Sequence, residues 1–316
     1  MVGILPKTRM ARKEMLWFWI FISPWVIGFI LFRGVPIFAS MFLSFTKYNI
    51  TSLTWLGFEN YADLFGDKIF YKSLQVSAYY TFLSVPVGLV FSLALAMLLN
   101  QRVPFLGIFR TLYYLPSLIV SSVAVAFLFQ LLLNPAFGIV NYGIAYLFGP
   151  NGVIPLGITG PGWFFDPKWV VPSYALVSLW GFGGPMLIYL AGLQGVPTVL
   201  YEAARIDGAN AWQRFRNVTL PMISPVILFT FITGIIGSFQ IFTQAYIISQ
   251  GAGGPAYSSM FYVLYLYNNA FRRYRFGYAS AQAWILFLVI LILTILAFRF
   301  SRQAVYYENP GDEGTI

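Results

Sequence analysis

The stretch VPTVLYEAARIDGANAWQRFRNVTLP, residues 196–221, decides how the chain is read. It is the one long polar interruption in a hydrophobic chain that carries helix signals instead of loop signals. Pro197 and Thr198 open it, with Thr as an N-cap or Pro in a first turn. Residues 200–206 are good helix formers. Asp207-Gly208 stops the helix, because Gly accepts the left-handed conformation that a helix C-terminus often needs. Asn210 opens a second helix, and Gln213 stands at capping-box distance behind it. The reading is helix, tight Gly turn, helix, carrying Glu202, Arg205, Asp207, Arg214 and Arg216. A polar helical hairpin between two apolar spans suits a lever that another protein grips. Ala203 and Ala204 let a partner backbone come close, and Glu202 offers a charge-assisted contact to a partner Arg.

The rest of the chain supplies the spans. Of 316 residues, 59% are hydrophobic and 9% charged, with a mean hydropathy of +0.74. A soluble domain carries about 25% charged residues, so a polytopic membrane protein is the first reading. There is no Cys and no His, which removes disulfides, thiolate metal sites and the commonest general base. The net charge of +9 belongs to basic cytoplasmic loops and not to nucleic acid, since no basic face carries interleaved exposed aromatics.

Residues 1–15 form a basic cytoplasmic tail with Lys7, Arg9, Arg12 and Lys13. Residues 16–36 are long enough to cross about 30 Å of hydrocarbon. They are too long for a signal-peptide core and no small-residue cleavage site follows. Further spans are expected at residues 73–99, 108–133, 169–193, 222–249 and 281–300, and residues 301–316 form a polar cytoplasmic tail. Arg33 either snorkels from the outer end of the first span or is a functional charge. Gly181, Gly183 and Gly184 before Pro185 predict a locally unwound or closely packed stretch. In the first outward loop Asn60 is a plausible N-cap for a short helix over residues 61–65 on the membrane surface. The long outward loop, residues 134–168, ends in Trp163, Phe164, Phe165 and then Trp169, an aromatic belt or a docking surface. Basic residues near span ends, Arg102, Arg110 and Arg302 among them, place both termini inside. The outward cluster Arg272, Arg273 and Arg275 runs against that bias.

All ten carboxylates, from Glu14 to Glu308, Asp312 and Glu313, lie outside these spans. A proton- or sodium-driven carrier usually needs an ionisable group inside the membrane. No Gly-Lys dipeptide exists, so no P-loop does either. Energy then has to enter through a partner, and residues 196–221 are where a partner can hold. In the fifth span Thr230, Thr233, Gly237, Gln240 and Gln244 are spaced three, four, three and four, along one helical face. That face is either a helix–helix seam or a path for solute. Uncharged amides beside Tyr174, Trp180 and Phe182 of the fourth span suit a sugar. The alternative is a passive channel or secondary transporter for a small polar solute, the latter disfavoured by the missing membrane carboxylates. An intramembrane enzyme lacks His, Cys and a buried acid.

Glu202-Ala203-Ala204, three residues, Gly208, nine residues and Val218-x-Leu220-Pro221 resemble the EAA loop of ABC importer permeases, with Val218 where the family prefers Ile. Gly57-Phe58-Glu59-Asn60-Tyr61, Phe109-Arg110-Thr111 with Leu115-Pro116, Gly253-Gly254-Pro255 and Gly277-Tyr278-Ala279 extend the likeness over nearly the whole chain. It is similar to the carbohydrate-uptake branch, of the MalF-like and glycerol-3-phosphate permease type, with Gln250-Gly251-Ala252 as a small departure. The resemblance implies an all-α polytopic membrane protein. Its fold would be a type I ABC importer (MetI-like) transmembrane domain of six helices over residues 16–300, N-in and C-in, in a prokaryotic plasma (inner) membrane. It implies that Glu202, Ala203, Ala204, Arg205, Asp207, Gly208, Leu220 and Pro221 belong to a coupling helix in a cleft of a separate ATPase. It implies a substrate path lined by Ser178, Gly181, Phe182, Gly234, Ser238 and Ile241. The implied partners are a second homologous permease, two ATP-binding subunits, an extracytoplasmic solute-binding protein, the lipid bilayer and a saccharide. The chain itself would be no enzyme and hold no cofactor, with ATP and Mg on the partner ATPase.

Overall fold

A computed structural model describes residues 8–101, 104–119, 123–301 and 305. Lys7, Arg102, Arg302, Glu308, Asp312 and Glu313 lie outside the described residues, so the two expected tails are described only in part. The chain divides into two compact units, Met1–Gly66 with Asn269–Trp284 and Asp67–Asn268 with Ile285–Ile316.

The first unit begins with a helical run, Arg12–Ser44, whose apolar side chains are exposed. Ring pairs one turn apart, Trp17 with Phe21 and Trp25 with Phe29, stack along it. Its one irregularity is a π turn over Ile30–Gly34, which contains Arg33. A two-stranded antiparallel hairpin follows, Thr46–Tyr48 with Leu53–Trp55, a small exception to the all-α expectation. Asn49 closes it: its Oδ1 accepts the Ser52 N–H at 2.8 Å. The next helix is Glu59–Gly66, longer than the expected residues 61–65. Asn60 is therefore inside its first turn and is not the N-cap. The amide is buried and donates to the Ser44 and Thr46 carbonyls at 2.9 and 2.8 Å. Two buried carbonyls that would otherwise go unpaired outweigh one helix-end contact.

The second unit is built on Lys68–Leu99, 32 residues long. It starts before the expected Ser73 because Asp67 caps it, accepting the Ile69 N–H at 2.8 Å and the Tyr265 hydroxyl. Its other end sits in a core of Leu95, Ala96 and Leu99 with Met186, Tyr189, Leu190, Leu193, Val196 and Ile223. Arg110 donates to the Leu99 carbonyl at 3.3 Å, a cation at a helix C-terminus.

Among the described residues, four helices are long and apolar enough to cross a membrane alone: Arg12–Ser44, Lys68–Leu99, Ser224–Ile248 and Phe276–Ser301. The other two expected spans are bent pairs, which bring the number up to six if each pair is one span. Leu106–Ile119 and Val123–Leu132 are inclined at 102°, and Val170–Gly181 and Gly183–Gln194 at 53°. At the second bend the helix tightens over Leu179–Gly181. A Cβ on Gly183 would run into the Tyr113 and Tyr114 backbone, so of the two expectations for the glycine stretch close packing holds, and the helix is tightened and bent, not unwound.

Asn60→Ala should destabilise the first unit by about 1–3 kcal/mol, the cost of leaving buried carbonyls unpaired. Asn60→Asp should be worse, since a carboxylate would face two carbonyl oxygens. The thermal unfolding midpoint and proteolysis of the 46–55 hairpin in detergent measure both.

Candidate functional site

The 196–221 hairpin is positioned by local chemistry at its tip and by packing at its base. The first helix is Thr198–Ile206, and Pro197, at φ −60° and ψ 129°, stands in the N-cap position. This corrects the expected start: Thr198 is already helical and caps nothing. An N-cap residue donates no ladder hydrogen bond, so Pro loses nothing there. Gly208 has φ +76°. Its N–H donates to the Arg205 carbonyl at 3.0 Å, and the Ala209 N–H to the Ala204 carbonyl at 2.9 Å, which ends the helix in a Schellman turn. Asn210 and Gln213 form the capping box, at 2.9 and 2.8 Å. The second helix is one turn, Ala211–Arg214, and continues through a π turn, Phe215–Thr219, into Leu220–Met222, with Pro221 in its first turn.

Glu202, Ala203, Arg205, Asp207 and Gly208 are exposed, Leu220 partly so, while Ala204 and Pro221 are half-buried. The base is fixed by the Tyr201 and Thr219 hydroxyls, 3.0 Å apart, and by Tyr201, Val218 and Met222 packed on the core. Val218 thus fills a partly buried aliphatic position that Ile would also fill. Sequence reasoning passed over Val199, Ile206 and Trp212, apolar side chains 68%, 86% and 66% exposed. The signal was available: Val199 and Ile206 are seven residues apart, on one helical face. An apolar face turned away from the core marks a surface that a partner covers.

A cavity of about 460 Å³ opens among the spans of the same unit. From the fourth span it is lined by Ser178, Gly181 and Phe182, and from the fifth by Gly234, Ser238, Gln240, Ile241 and Gln244. No Asp, Glu, Lys or Arg is among its lining residues. Tyr174 and Trp180 do not line it, a correction to the expected path. Tyr174 is 1% exposed, with its ring against Phe164 and Phe261 at 5.3 and 5.0 Å. Trp180 lies edge-on to Phe129 at 5.7 Å. Tyr174 packs one turn beyond Ser178, outside the cavity, while Ser178, Gly181 and Phe182 face the space.

The fifth-span helix is interrupted, yet all five stripe residues, Thr230, Thr233, Gly237, Gln240 and Gln244, line the cavity. The helix ends at Phe239 and resumes at Thr243, and Phe242, at φ −136°, is not helical. Thr230 and its neighbour Ser238 also bond to other helices. Thr230 is buried and bonded to the Tyr189 hydroxyl at 2.5 Å, and Ser238 donates to the Thr81 hydroxyl at 2.8 Å. Those two hold a helix seam and line the cavity as well. Gln240 and Gln244, either side of the break, line the cavity with Thr233. Gly234 keeps the seam close, since a Cβ there would stand 3.2 Å from Val85.

The wall contributed by Lys68–Leu99 was missed: Tyr80, Ser84, Gly88 and Ser92, four residues apart. Serines at 73, 77, 84 and 92 in an otherwise apolar span were the legible sign. Tyr80, Phe182 and Phe242 give the cavity its aromatic surfaces.

Comparison with known proteins adds a frame to this geometry. Residues 84–305 match the family described as "Binding-protein-dependent transport system inner membrane component". The chain is 40% identical over 313 residues to a protein of Bacillus subtilis named as a probable ABC transporter permease, YesP, covering 96% of each chain. It is 35% identical over 290 residues to the lactose transport system permease protein LacF of Rhizobium radiobacter, covering 90% of this chain and 94% of LacF. Its fold is that of a chain in the crystal structure of a bacterial alginate ABC transporter in complex with an alginate pentasaccharide-bound periplasmic protein. That likeness has a TM-score of 0.75 at 22% identity, over 95% of this chain and 98% of the other.

Gly208→Val should cost about 1–2 kcal/mol in the hairpin, the penalty of a branched side chain at positive φ. Gly208→Asn should cost less, and no neighbour within 4 Å complicates the comparison. Hydrogen exchange at the 205–213 amides reads the difference.

Proposed function

The chain belongs to the family of inner membrane components of binding-protein-dependent transport systems, and from that premise we propose that it forms part of the path of a saccharide importer driven through its 196–221 hairpin. It is a multi-pass permease of the ABC transporter class. The observation that carries the saccharide reading is the uncharged cavity. Gln240, Gln244, Ser84 and Thr233 offer amide and hydroxyl groups to sugar hydroxyls, and Tyr80, Phe182 and Phe242 offer ring faces to sugar C–H groups. LacF, a relative over most of its length, carries lactose in its name.

In this reading the second wall of the path comes from a homologous permease, and two ATP-binding subunits hold ATP and Mg. An extracytoplasmic solute-binding protein delivers the sugar, as a periplasmic protein accompanies the alginate transporter. The chain binds no cofactor and hydrolyses nothing. Both termini and the hairpin lie in the cytoplasm. There Glu202, Arg205 and Asp207 offer charges to the ATPase, while Val199, Ile206 and Trp212 offer it an apolar face.

Movement reaches the cavity through contacts within one unit. Tyr201 and Val218 press on a core that includes Met186, Leu190 and Leu193 of the Gly183–Gln194 helix. That helix meets the cavity wall at Phe182. When ATP draws the ATPases together, the hairpin follows, the helix tilts about its bend, and the cavity changes the side to which it opens.

Two measurements test this. Gln240→Leu with Gln244→Leu should lower saccharide uptake at least about tenfold, the worth of one or two polar contacts. Complex yield and thermal stability should stay near wild type, whereas Thr230→Val and Ser238→Ala should lower stability first. The opposite assignment of effects would overturn the path. Glu202→Lys should leave the chain folded but weaken its co-purification with the ATPase and the saccharide-stimulated hydrolysis, and normal values for both would overturn the coupling role.

A further inference from the structure

The cluster Arg272, Arg273 and Arg275 violates the charge bias of the sequence, and the transport path makes no use of it. Two of its members, Arg273 and Arg275, join Lys47 on the wall of a separate cavity of about 570 Å³ within the first unit. Glu59 and Asp63, one helical turn apart, face the same space, as do Asn49 and Thr51 of the hairpin loop. Tyr48, Tyr274 and Tyr278 supply its rings.

The arginines are held in place. Between them Tyr274 has φ +55°, a left-handed conformation that costs a non-glycine residue about 1–2 kcal/mol. Backbone strain of this kind persists where surrounding contacts fix it. Here the Arg275 N–H donates to the Asn269 carbonyl at 2.8 Å, and Arg273 Nη1 to Asn269 Oδ1 at 3.1 Å. Asn269 is wholly buried and in turn donates to Gln282 Oε1 at 3.1 Å. The Arg275 guanidinium lies 4.3 Å over the Tyr278 ring.

We propose that this socket is a second saccharide subsite, on the expected outward side of the chain, which takes a carboxylate-bearing sugar such as a uronate. The inference rests on the saccharide reading above. The chemistry selects the class by elimination. A cation would meet Lys47, Arg273 and Arg275, and a compact inorganic anion would meet Glu59 and Asp63. Sugar hydroxyls both donate and accept, so they use a wall of mixed sign. Tyr48 and Tyr274 offer rings to the sugar's C–H faces, Tyr278 being covered by Arg275. Three cations against two carboxylates give the wall a net positive charge for the sugar's carboxylate. The volume lies in the range of small-molecule sites, about 300–1,000 Å³.

The test uses the assembled transporter, with this chain, its second permease and its ATPases, in lipid nanodiscs. Saturation-transfer NMR compares glucuronate, galacturonate and mannuronate with glucose, galactose and mannose. At least one uronate should bind, and at least about tenfold more tightly than its neutral counterpart, the worth of one charge-assisted contact. Arg273→Ala and Lys47→Ala should each remove that preference, and Arg273→Lys should restore part of it. Gln240→Leu should not change it. Equal binding of acid and neutral sugars, or an unchanged preference in both alanine variants, would overturn the proposal. So would variants that lose stimulation by the solute-binding protein while keeping the uronate signal, since that assigns the socket to protein docking. If saccharide uptake stands and no uronate binds, this inference alone fails. If no saccharide is taken up at all, the transport reading fails with it.

Discussion

Close approach of small side chains along Lys68–Leu99 is the constraint on which the second unit depends. Lipid tails are as apolar as leucine, so packing and buried hydroxyl contacts have to bring membrane helices together. Ser73, Ser77, Thr81, Ser84 and Ser92 are all buried on this helix. Ser77 Oγ accepts the Tyr262 N–H at 2.9 Å, and Thr81 accepts from Ser238. Val85 fits against Gly234, and Gly88 leaves room for the Phe182 ring. Larger residues here would push the fourth and fifth spans away, and the cavity they enclose with this helix would lose its shape. The same face that holds the bundle together also lines its space.

Legibility in the sequence followed the range of the interaction. Gly208, Asn210 and Gln213 were readable because each acts within a few residues, through a left-handed turn or a capping box. The spans were readable because length and apolarity are compositional. Asn60 was misread because its partners, Ser44 and Thr46, are far along the chain and reach it only through the fold. Tyr174 and Trp180 were placed on the path as aromatics of the same span as Phe182, but their rings pack against Phe164, Phe261 and Phe129 instead. The fifth-span stripe assumed an unbroken helix; the helix breaks at residues 240–242, and the five stripe residues still line one cavity. Periodicity cannot report such a break, because neither Pro nor Gly stands at residues 240–242 to mark it.

Two kinds of surface meet in the second unit, and they follow opposite rules. The hairpin shows water-accessible charges beside exposed apolar residues, the composition of a surface suited to a partner. The cavity hides uncharged polar groups among helices, where an ionised group would be costly. Between them lies an apolar core with no charged member, built from Leu95, Met186, Leu190 and Ile223 among others. Close-packed interiors of this kind have low compressibility and transmit strain. A displacement of Tyr201 is therefore passed on to its neighbours and is not absorbed.

The bend between Val170–Gly181 and Gly183–Gln194 gives that displacement a lever arm. The second half has 12 residues, and at about 1.5 Å per residue it is about 18 Å long. With its pivot near Phe182, a tilt of about 10° carries the Gln194 end through about 3 Å, roughly one water diameter. In such a tilt the pivot end would move hardly at all, so Phe182 would keep its place on the cavity wall while the far end travels. In the proposed import cycle such a helix would convert a small push at the membrane surface into opening on one side only, without breaking a backbone hydrogen bond inside the bilayer.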